Sequence, residues 1–169
     1  MQSLISSERA QHSFAKILLK TMPEFPRDAI RQLEEVSGVR EYQRGDLVIK
    51  EGQPSGGIFL LFTGAVQRWM SLPNSSGRRQ AVFPAISAPA VLGIASSMLG
   101  VPSALSISAS AEAKAVFVPR TNLLDALRKF PQAGLAFSQL LSEELAHSYA
   151  HLVELRNGSS EKQSSALLN

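Results

Sequence analysis

The residues that could ligate a metal lie on one predicted helix near the end of the chain. Glu143, His147 and His151 follow each other at intervals of four residues, and Zn²⁺ accepts carboxylate and imidazole ligands that share a helix face. The same spacing is typical of the solvated side of a helix. We favour the solvated side and predict neither a metal nor a cofactor; a small metal-binding barrel protein is the lesser alternative.

The motifs of common catalytic centres are absent from the sequence. It contains no G-x-S-x-G elbow, no P-loop and no G-x-G-x-x-G pattern, which are the motifs that position a nucleophile or a phosphate. The chain has no cysteine, and this excludes disulfides, thiolate metal ligands and cysteine nucleophiles. We therefore predict a binding protein and not an enzyme.

Charged residues avoid one long block of the chain. Residues 80–111 contain no Asp, Glu, Lys or Arg, although charged residues make up 18% of the sequence. Prolines and glycines interrupt the block, so it offers no run of about 20 apolar residues that could span a bilayer. Glu8 and Arg9 stand where a signal peptide would have its apolar core. These features predict a soluble, cytoplasmic protein without a membrane partner.

A candidate ligand-binding segment lies inside the uncharged block. Residues 92–100 read as the end of a strand, a glycine and one or two helical turns, and a loop then leads to Ser103. Unpaired N–H groups at the start of such a turn can bind an anion or a polar group without a charged side chain. The alternative is a short hydrophobic helix that fills the core through Ile94, Met98 and Leu99. The sequence leaves both interpretations open.

Short strands must position this segment. Stretches of apolar and β-branched residues alternate with turn residues after residue 38, which is typical of all-β domains. These stretches cover residues 39–42, 47–50, 58–62, 66–72, 81–83, 105–109 and 115–118. Many short strands joined by tight turns favour an antiparallel β-roll or jelly roll over a parallel βαβ sheet.

Two helices are predicted before the strands. The first covers residues 4–20. The second begins after Pro26, whose fixed φ suits a first helical turn, and ends at Gly38, a residue type common just after a helix. Their apolar faces consist of Phe14, Ile17 and Leu18 in the first helix and Ile30, Leu33 and Val36 in the second.

Two further helices are predicted after the strands. Thr121 is expected to cap a short helix that ends at Lys129. Pro131 is expected to open a long helix that ends at Asn157.

The long helix has two apolar edges. One edge has the 4, 3, 4, 3 spacing of a coiled-coil seam and consists of Leu141, Leu145, Ser148, Leu152 and Leu155. The other consists of Phe137, Leu140 and Tyr149. Because two apolar edges need two burial partners, we predict that the helix pairs with a second copy of the chain to form a homodimer. Docking on its own barrel alone is the alternative.

In the order of these parts, the chain resembles the sensor domain of the Crp/Fnr family of bacterial transcription regulators, which has the cyclic-nucleotide-binding fold. Residues 42–52 match the family's aromatic residue, glycine and Glu-Gly pair at the start of its β-roll. Residues 58–66 match its strand, glycine turn and return strand, and the ligand cassette begins at Leu92 and Gly93. The resemblance implies a mainly β domain, an antiparallel β-roll or jelly roll with flanking helices, followed by a long C-terminal dimerisation helix.

The resemblance also implies a division of the chain. It gives an N-terminal helical segment (1–25), the β-roll with flanking helices (26–130), a dimerisation helix (131–157) and a linker with a remnant of the first DNA-binding-domain helix (158–169). DNA contact is therefore expected only through a domain absent from this chain. The net charge of +3, with bases scattered along the sequence, does not predict a nucleic-acid surface either.

The cassette departs from the family pattern at two positions. Relatives that bind cyclic AMP or cyclic GMP carry a Glu after the cassette glycine, for the ribose hydroxyl, and an Arg nine or ten residues later, for the cyclic phosphate. This chain has Ile94 and Ser103 there. Loss of the arginine removes a charge-assisted bond worth roughly 1.5 to 3 kcal/mol, and the uncharged block contains no substitute. The resemblance thus implies weak cyclic-nucleotide binding. The effector is then an unknown, uncharged small molecule, and the alternative is a domain that binds no ligand.

The resemblance assigns the lining of the ligand pocket. From the cassette these residues are Gly93, Ile94, Ala95, Ser96, Ser103 and Ala104. Ser148 stands at the helix position from which hydroxyl residues reach the purine in ligand-binding relatives. The alternative role for Ser148 is a polar break in the helix seam.

Overall fold

The computed structural model describes residues 14–74 and 77–166. The helices in these ranges are α1 (14–21), α2 (Arg27–Glu34), α3 (Ile94–Leu99), α4 (Arg120–Lys129) and α5 (Pro131–Ala166). The strands in the same ranges are β1 (Gly38–Tyr42), β2 (Leu47–Ile49), β3 (Gly57–Thr63), β4 (Ala65–Asn74), β5 (Gly77–Val82), β6 (Ile86–Ser87), β7 (Ala90–Leu92), β8 (Ser106–Ala109) and β9 (Ala113–Pro119).

The strands form two antiparallel sheets. The first sheet has the order β1-β9-β3-β7, and the second has the order β2-β8-β4-β5 with β6 paired to β4. Side chains from both sheets meet in one buried cluster, which we call the roll interior and which contains Phe59, Leu61, Val66, Ile107 and Ala115. The predicted fold class, an antiparallel β-roll with flanking helices and a long C-terminal helix, is confirmed.

A second cluster, the helix layer, lies on the other face of the first sheet. Alternate residues of β3 are buried in different clusters, because successive side chains of a strand point to opposite faces. Ile58 and Leu60 are buried in the helix layer, and Phe59 and Leu61 are buried in the roll interior. The apolar faces predicted for the first helices also reach this layer, since Phe14, Ile17, Leu18, Ile30 and Leu33 are all buried there.

Two helix ends differ from the sequence-based expectation. Helix α2 stops at Glu34, so Val36 is 39% exposed and is not part of the buried stripe. Gly38 does not close that helix, because its backbone pairs with Phe117 as the first residue of β1. Helix α4 starts at Arg120 with Pro119 as its N-cap and without a side-chain cap, so the role predicted for Thr121 is wrong.

The long helix runs nine residues beyond its predicted end. Helix α5 begins at Pro131, as expected, but it continues through Asn157 and Gly158 to Ala166. An internal glycine costs a helix only about 1 kcal/mol, and the good helix formers Glu161, Lys162 and Gln163 follow it. The boundary placed at residue 157 therefore does not interrupt the helix.

The sequence analysis missed one strand, β6, and predicted only the end of another, β7, at Leu92. Strands β6 and β7 are only two and three residues long and lie beside Pro84 and Pro89, which sequence patterns assign to loops. Pairing with β4 and β3 forms them, so their presence depends on tertiary contacts. Strand β7 leads directly into Gly93 and thus delivers the cassette.

We predict that Gly57→Ala lowers the free energy of unfolding by about 1 to 3 kcal/mol, the usual cost of overpacking. A Cβ at this position would overlap the Val118 carbonyl oxygen and lie 2.8 Å from a Phe117 ring atom. The matched control is Gly38→Ala, where a Cβ meets nothing within 4 Å, and its effect should stay within about 0.5 kcal/mol. Urea unfolding followed by circular dichroism measures both, and equal effects would contradict the close approach at Gly57.

Candidate functional site

Two glycines define the ends of the cassette helix α3. Gly93 precedes the helix with φ +77° and Gly100 follows it with φ +69°, a left-handed conformation that glycine adopts without strain. A Cβ on Gly93 would lie 2.8 Å from Ile49 Cδ1 and 3.2 Å from the Gly57 carbonyl oxygen. The start of the cassette is therefore packed tightly against the ends of β2 and β3.

The apolar side chains of the cassette divide between core and surface. Ile94 is 7% exposed and packs in the helix layer, with Met98 partly buried against the same cluster, whereas Leu99 is 72% exposed. The core-filling interpretation thus describes Ile94 and Met98 but not Leu99. Ala95 and Ala104 are exposed.

Three serine hydroxyls tie the cassette to the loop before β3. Ser96 Oγ donates to Ser55 Oγ at 2.9 Å, and Ser55 Oγ lies 2.9 Å from Ser97 Oγ. Ser97 Oγ in turn donates to the Gly57 carbonyl at 2.6 Å. The sequence analysis found Ser96 but missed Ser55 and Ser97, because no local signal links residues about forty positions apart in the chain.

An arginine from outside the uncharged block also reaches the cassette. Arg120 Nε, at the start of α4, donates to the Ser97 carbonyl at 2.6 Å. Its guanidinium also lies so close to Gly100 that a Cβ there would be 2.9 Å away. A cation therefore lies beside the cassette although residues 80–111 contain none. This cation satisfies a carbonyl that α3 leaves unpaired and so fastens α3 to α4.

Ser103 occupies the position where the family pattern has its phosphate-binding arginine. Its backbone N–H donates to the Gln53 carbonyl at 2.9 Å, and its carbonyl accepts the Gly52 N–H at 2.8 Å. Its hydroxyl donates to the Leu105 carbonyl at 2.7 Å. Ser103 is thus held beside the loop after β2, with its side chain engaged in a local turn.

A second arginine missed by the sequence analysis lies on β4. Arg68 pairs with Ile107 across the second sheet, and its Nε is buried without a hydrogen-bond partner among the described residues. The alternation of Val66, Arg68 and Met70 along one strand could have indicated a shared face.

A groove of about 520 Å³ lies along the second sheet near the end of β2. Its lining residues are Leu47, Lys50, Glu51, Gly52, Trp69, Ser71, Leu72 and Ser106. Trp69 and Ser106 face each other in the register next to the buried pair Arg68 and Ile107, so they project to the opposite side of the sheet. The Glu51 carboxylate accepts the Ser71 N–H at 2.9 Å, so two residues that line the groove are bonded to each other.

The predicted seam residues of α5 lie partly on the core and partly in solvent. Leu141 is half-buried against the helix layer, whereas Leu145 is 52% and Leu152 is 60% exposed. Ser148 is exposed, and its Oγ donates to the Glu144 carbonyl of its own helix at 2.8 Å. The side chain of Leu155 lies outside the described residues. On the second edge, Phe137 and Leu140 are buried and Tyr149 is 59% exposed.

A search of the described residues found no group of three His, Cys, Asp or Glu side chains placed to share a metal ion. His147 is exposed, and the side chain of His151 lies outside the described residues. None of the described helices combines the length and hydropathy that crossing a bilayer requires.

One protein family matches this sequence. The profile of the cyclic nucleotide-binding domain aligns with residues 39–130, which is more than half of the 169 residues. A search of curated protein sequences gave no significant match.

Several solved structures have a similar fold. A cyclic nucleotide-binding domain from Methylobacillus flagellatus gives a TM-score of 0.73 at 23% identity, over 85% of this chain and 84% of that one. The sensor domain of the transcriptional regulator DNR from Pseudomonas aeruginosa gives 0.68 at 16% identity, over 83% and 93%. The catabolite activator protein of Thermus thermophilus gives 0.66 at 16% identity, and the match covers 80% of this chain but 62% of that protein. At identities this low, the structural matches show a shared fold only.

We predict that Ser97→Ala lowers the free energy of unfolding by about 1 to 3 kcal/mol, because it leaves the buried Gly57 carbonyl without its donor. Ser97 is 1% exposed. Ser138→Ala is the control, since its Oγ bonds a helix carbonyl on the exposed side of α5 and its loss should cost less than about 0.5 kcal/mol. Thermal unfolding compares the two variants, and a neutral Ser97→Ala would mean that the hydroxyl network is not stabilising.

Proposed function

Because the chain belongs to the cyclic nucleotide-binding domain family, we propose that it is the effector-sensing and dimerisation module of a Crp/Fnr-type transcription regulator. The observation that carries the proposal is the row of exposed leucines on α5, the helix that leaves the β-roll. Leu145 and Leu152 are more than half exposed in a single chain, although leucine strongly favours burial. Structures of a catabolite activator protein and of the DNR sensor domain have the same fold, which supports the assignment.

We propose that a second copy of the chain covers these exposed leucines. The exposed leucines repeat at heptad spacing together with Ser148, and such spacing is the pattern with which two helices pair. The base of α5 is covered by its own domain, since Phe137 and Leu140 are buried there, whereas Leu145, Tyr149 and Leu152 farther along the helix are all more than half exposed. The part of α5 that carries the exposed leucines is thus left for a partner.

We further propose that the cassette does not hold cyclic AMP or cyclic GMP tightly. Ile94, at the position of the ribose-binding glutamate, is buried in the helix layer. The hydroxyl of Ser103 is engaged with Leu105, and the guanidinium of Arg120 is engaged with Ser97. A cyclic-nucleotide-binding regulatory domain with an atypical uncharged cassette is the alternative, favoured by the family membership itself.

A contiguous set of contacts connects the cassette with the dimerisation helix. Arg120, the first residue of α4, donates a hydrogen bond to α3. At the other end of α4, the C-cap residue Phe130 has an extended backbone, and the chain then enters α5. The Ala133 N–H donates to the Phe130 carbonyl at 2.9 Å, which fixes this corner. An effector that shifts α3 would therefore shift α4 and the base of α5, and so change the balance between two arrangements of the paired helices.

Calorimetric titration tests the cassette proposal directly. We expect cyclic AMP and cyclic GMP to show no binding at micromolar affinity to the wild-type chain. Ser103→Arg restores a phosphate-binding guanidinium and should strengthen cyclic AMP binding by about tenfold or more. Ser142→Arg, on the exposed face of α5, controls for the added charge. Micromolar binding by the wild type would favour the alternative.

Sedimentation tests the dimer. We expect wild-type dimer and largely monomeric Leu145→Asp, because a carboxylate in the seam would be buried without a partner, at a cost of several kcal/mol. Ala150→Asp is the matched control, since Ala150 is exposed on the opposite side of the same helix, and it should remain dimeric. A Leu145→Asp chain that dimerises like the wild type would refute the placement of the seam.

A further inference from the structure

Strand β4 places an arginine on the interior face of the roll. Arg68 stands opposite Ile107 in the register, and Ile107 stands opposite Ile49. Residues directly opposite each other on antiparallel strands project to the same face, and both isoleucines are buried in the roll interior. The Arg68 side chain therefore leaves its strand toward the apolar interior.

Part of this guanidinium is enclosed without a partner. Arg68 Nε is buried and has no hydrogen-bond acceptor among the described residues. A buried donor on a charged group is costly to leave unpaired, and folded proteins rarely do so. No ion pair of the described ranges satisfies it, because those pairs are Asp28 with Arg31, Glu41 with Lys114 and Asp125 with Arg128.

The interior face opens to solvent along β4. Val66 is fully buried, whereas Leu72, on the same face of the strand, is 39% exposed. Arg68 lies between them and is half-buried, so part of the residue reaches solvent at this opening, which we call the mouth of the roll. A ligand from solvent can reach it there.

The mouth of the roll is close to the cassette. Ile49, in the same cross-strand row as Arg68, packs against the position of Gly93. The row spans three strands, so the Cα atoms of Ile49 and Arg68 are roughly 10 Å apart, at about 5 Å per strand. One small molecule can therefore contact both Arg68 and the start of the cassette.

We propose that Arg68 binds an anionic group of the effector, a carboxylate or a phosphate, at the mouth of the roll. The inference rests on the proposed function, in which the roll senses a small molecule. A guanidinium offers planar, parallel N–H donors that match an oxyanion, and Nε is one of these donors. The anion is then held from the strand side of the pocket, whereas the cassette supplies only hydroxyl and backbone groups.

The experiment uses the purified full chain and three probes. Inorganic phosphate, succinate and cyclic AMP are each compared with sodium chloride at equal ionic strength, by calorimetry for Kd and by thermal unfolding for Tm. Arg68→Met removes the charge and keeps an unbranched side chain that reaches about as far as Nε, and Arg68→Lys keeps the charge without the planar fork. Arg44→Met removes one charge from an exposed turn and serves as the control.

We expect phosphate or succinate to bind the wild type with a millimolar or lower Kd, and the stronger of the two identifies the class of anion. Arg68→Met should raise that Kd by about tenfold or more, Arg68→Lys by less, and Arg44→Met by less than about twofold. Without an anion, Arg68→Met should have a higher Tm than the wild type, because an unpaired buried charge has been replaced by an apolar side chain. A purely structural arginine would give the opposite shift.

Three outcomes overturn the assignment. In the first, neither phosphate nor succinate binds the wild type. In the second, Arg68→Met binds the anion as well as the wild type does, and in the third, Arg68→Met has a lower Tm than the wild type or does not fold. Each of these results is compatible with the proposed function and with an uncharged effector. Tight cyclic AMP binding that survives in Arg68→Met contradicts both proposals. Tight cyclic AMP binding that is lost in Arg68→Met supports the role of Arg68 and contradicts only the proposal for the cassette.

Discussion

Strand β3 is buried on both faces, and the rest of the domain depends on this constraint. Its odd and even residues belong to different clusters, so Phe59 fixes the position of the roll interior while Leu60 fixes that of the helix layer. The two clusters cannot shift independently, because one backbone carries both sets of side chains. At its first residue, Gly57, the strand approaches β9 so closely that a side chain has no room. A strand in this position is a rigid reference for everything packed against it.

The cassette is attached to that reference and to the helices together. Its serines bond the Gly57 carbonyl and Ser55 beside the start of β3, while its last turn bonds Arg120 of α4. The apolar part of α3 lies in the helix layer through Ile94. A segment that is fixed to a rigid strand on one side and to a helix on the other is suited to transmit a local displacement. The requirement is that two conformations of the segment differ in these few hydrogen bonds.

The sequence predicts the fold better than it predicts the site, for a physical reason. Strands such as β3 and β9 and the faces around Phe14 and Leu33 follow from local periodicity, which is a property of consecutive residues. Gly93 could be located because a left-handed turn needs glycine. By contrast, Ser55 and Arg120 contact the cassette from other elements, and only tertiary packing determines which side chains meet. For the same reason the short strand β6 was missed, and only the end of β7 was predicted.

The polar groups that hold the cassette include no carboxylate, and the cassette segment itself is uncharged. Ser55, Ser96 and Ser97 offer hydroxyls, Gly57 offers a peptide carbonyl, and Arg120 offers a guanidinium N–H. Residues 80–111 also contain no histidine, cysteine or tyrosine, so nothing in this segment gains or loses a proton near neutrality. The bonds that hold the cassette therefore carry no proton linkage of their own. In the proposed sensing role, the response would then depend on the chemistry of the effector and not on protonation within residues 80–111.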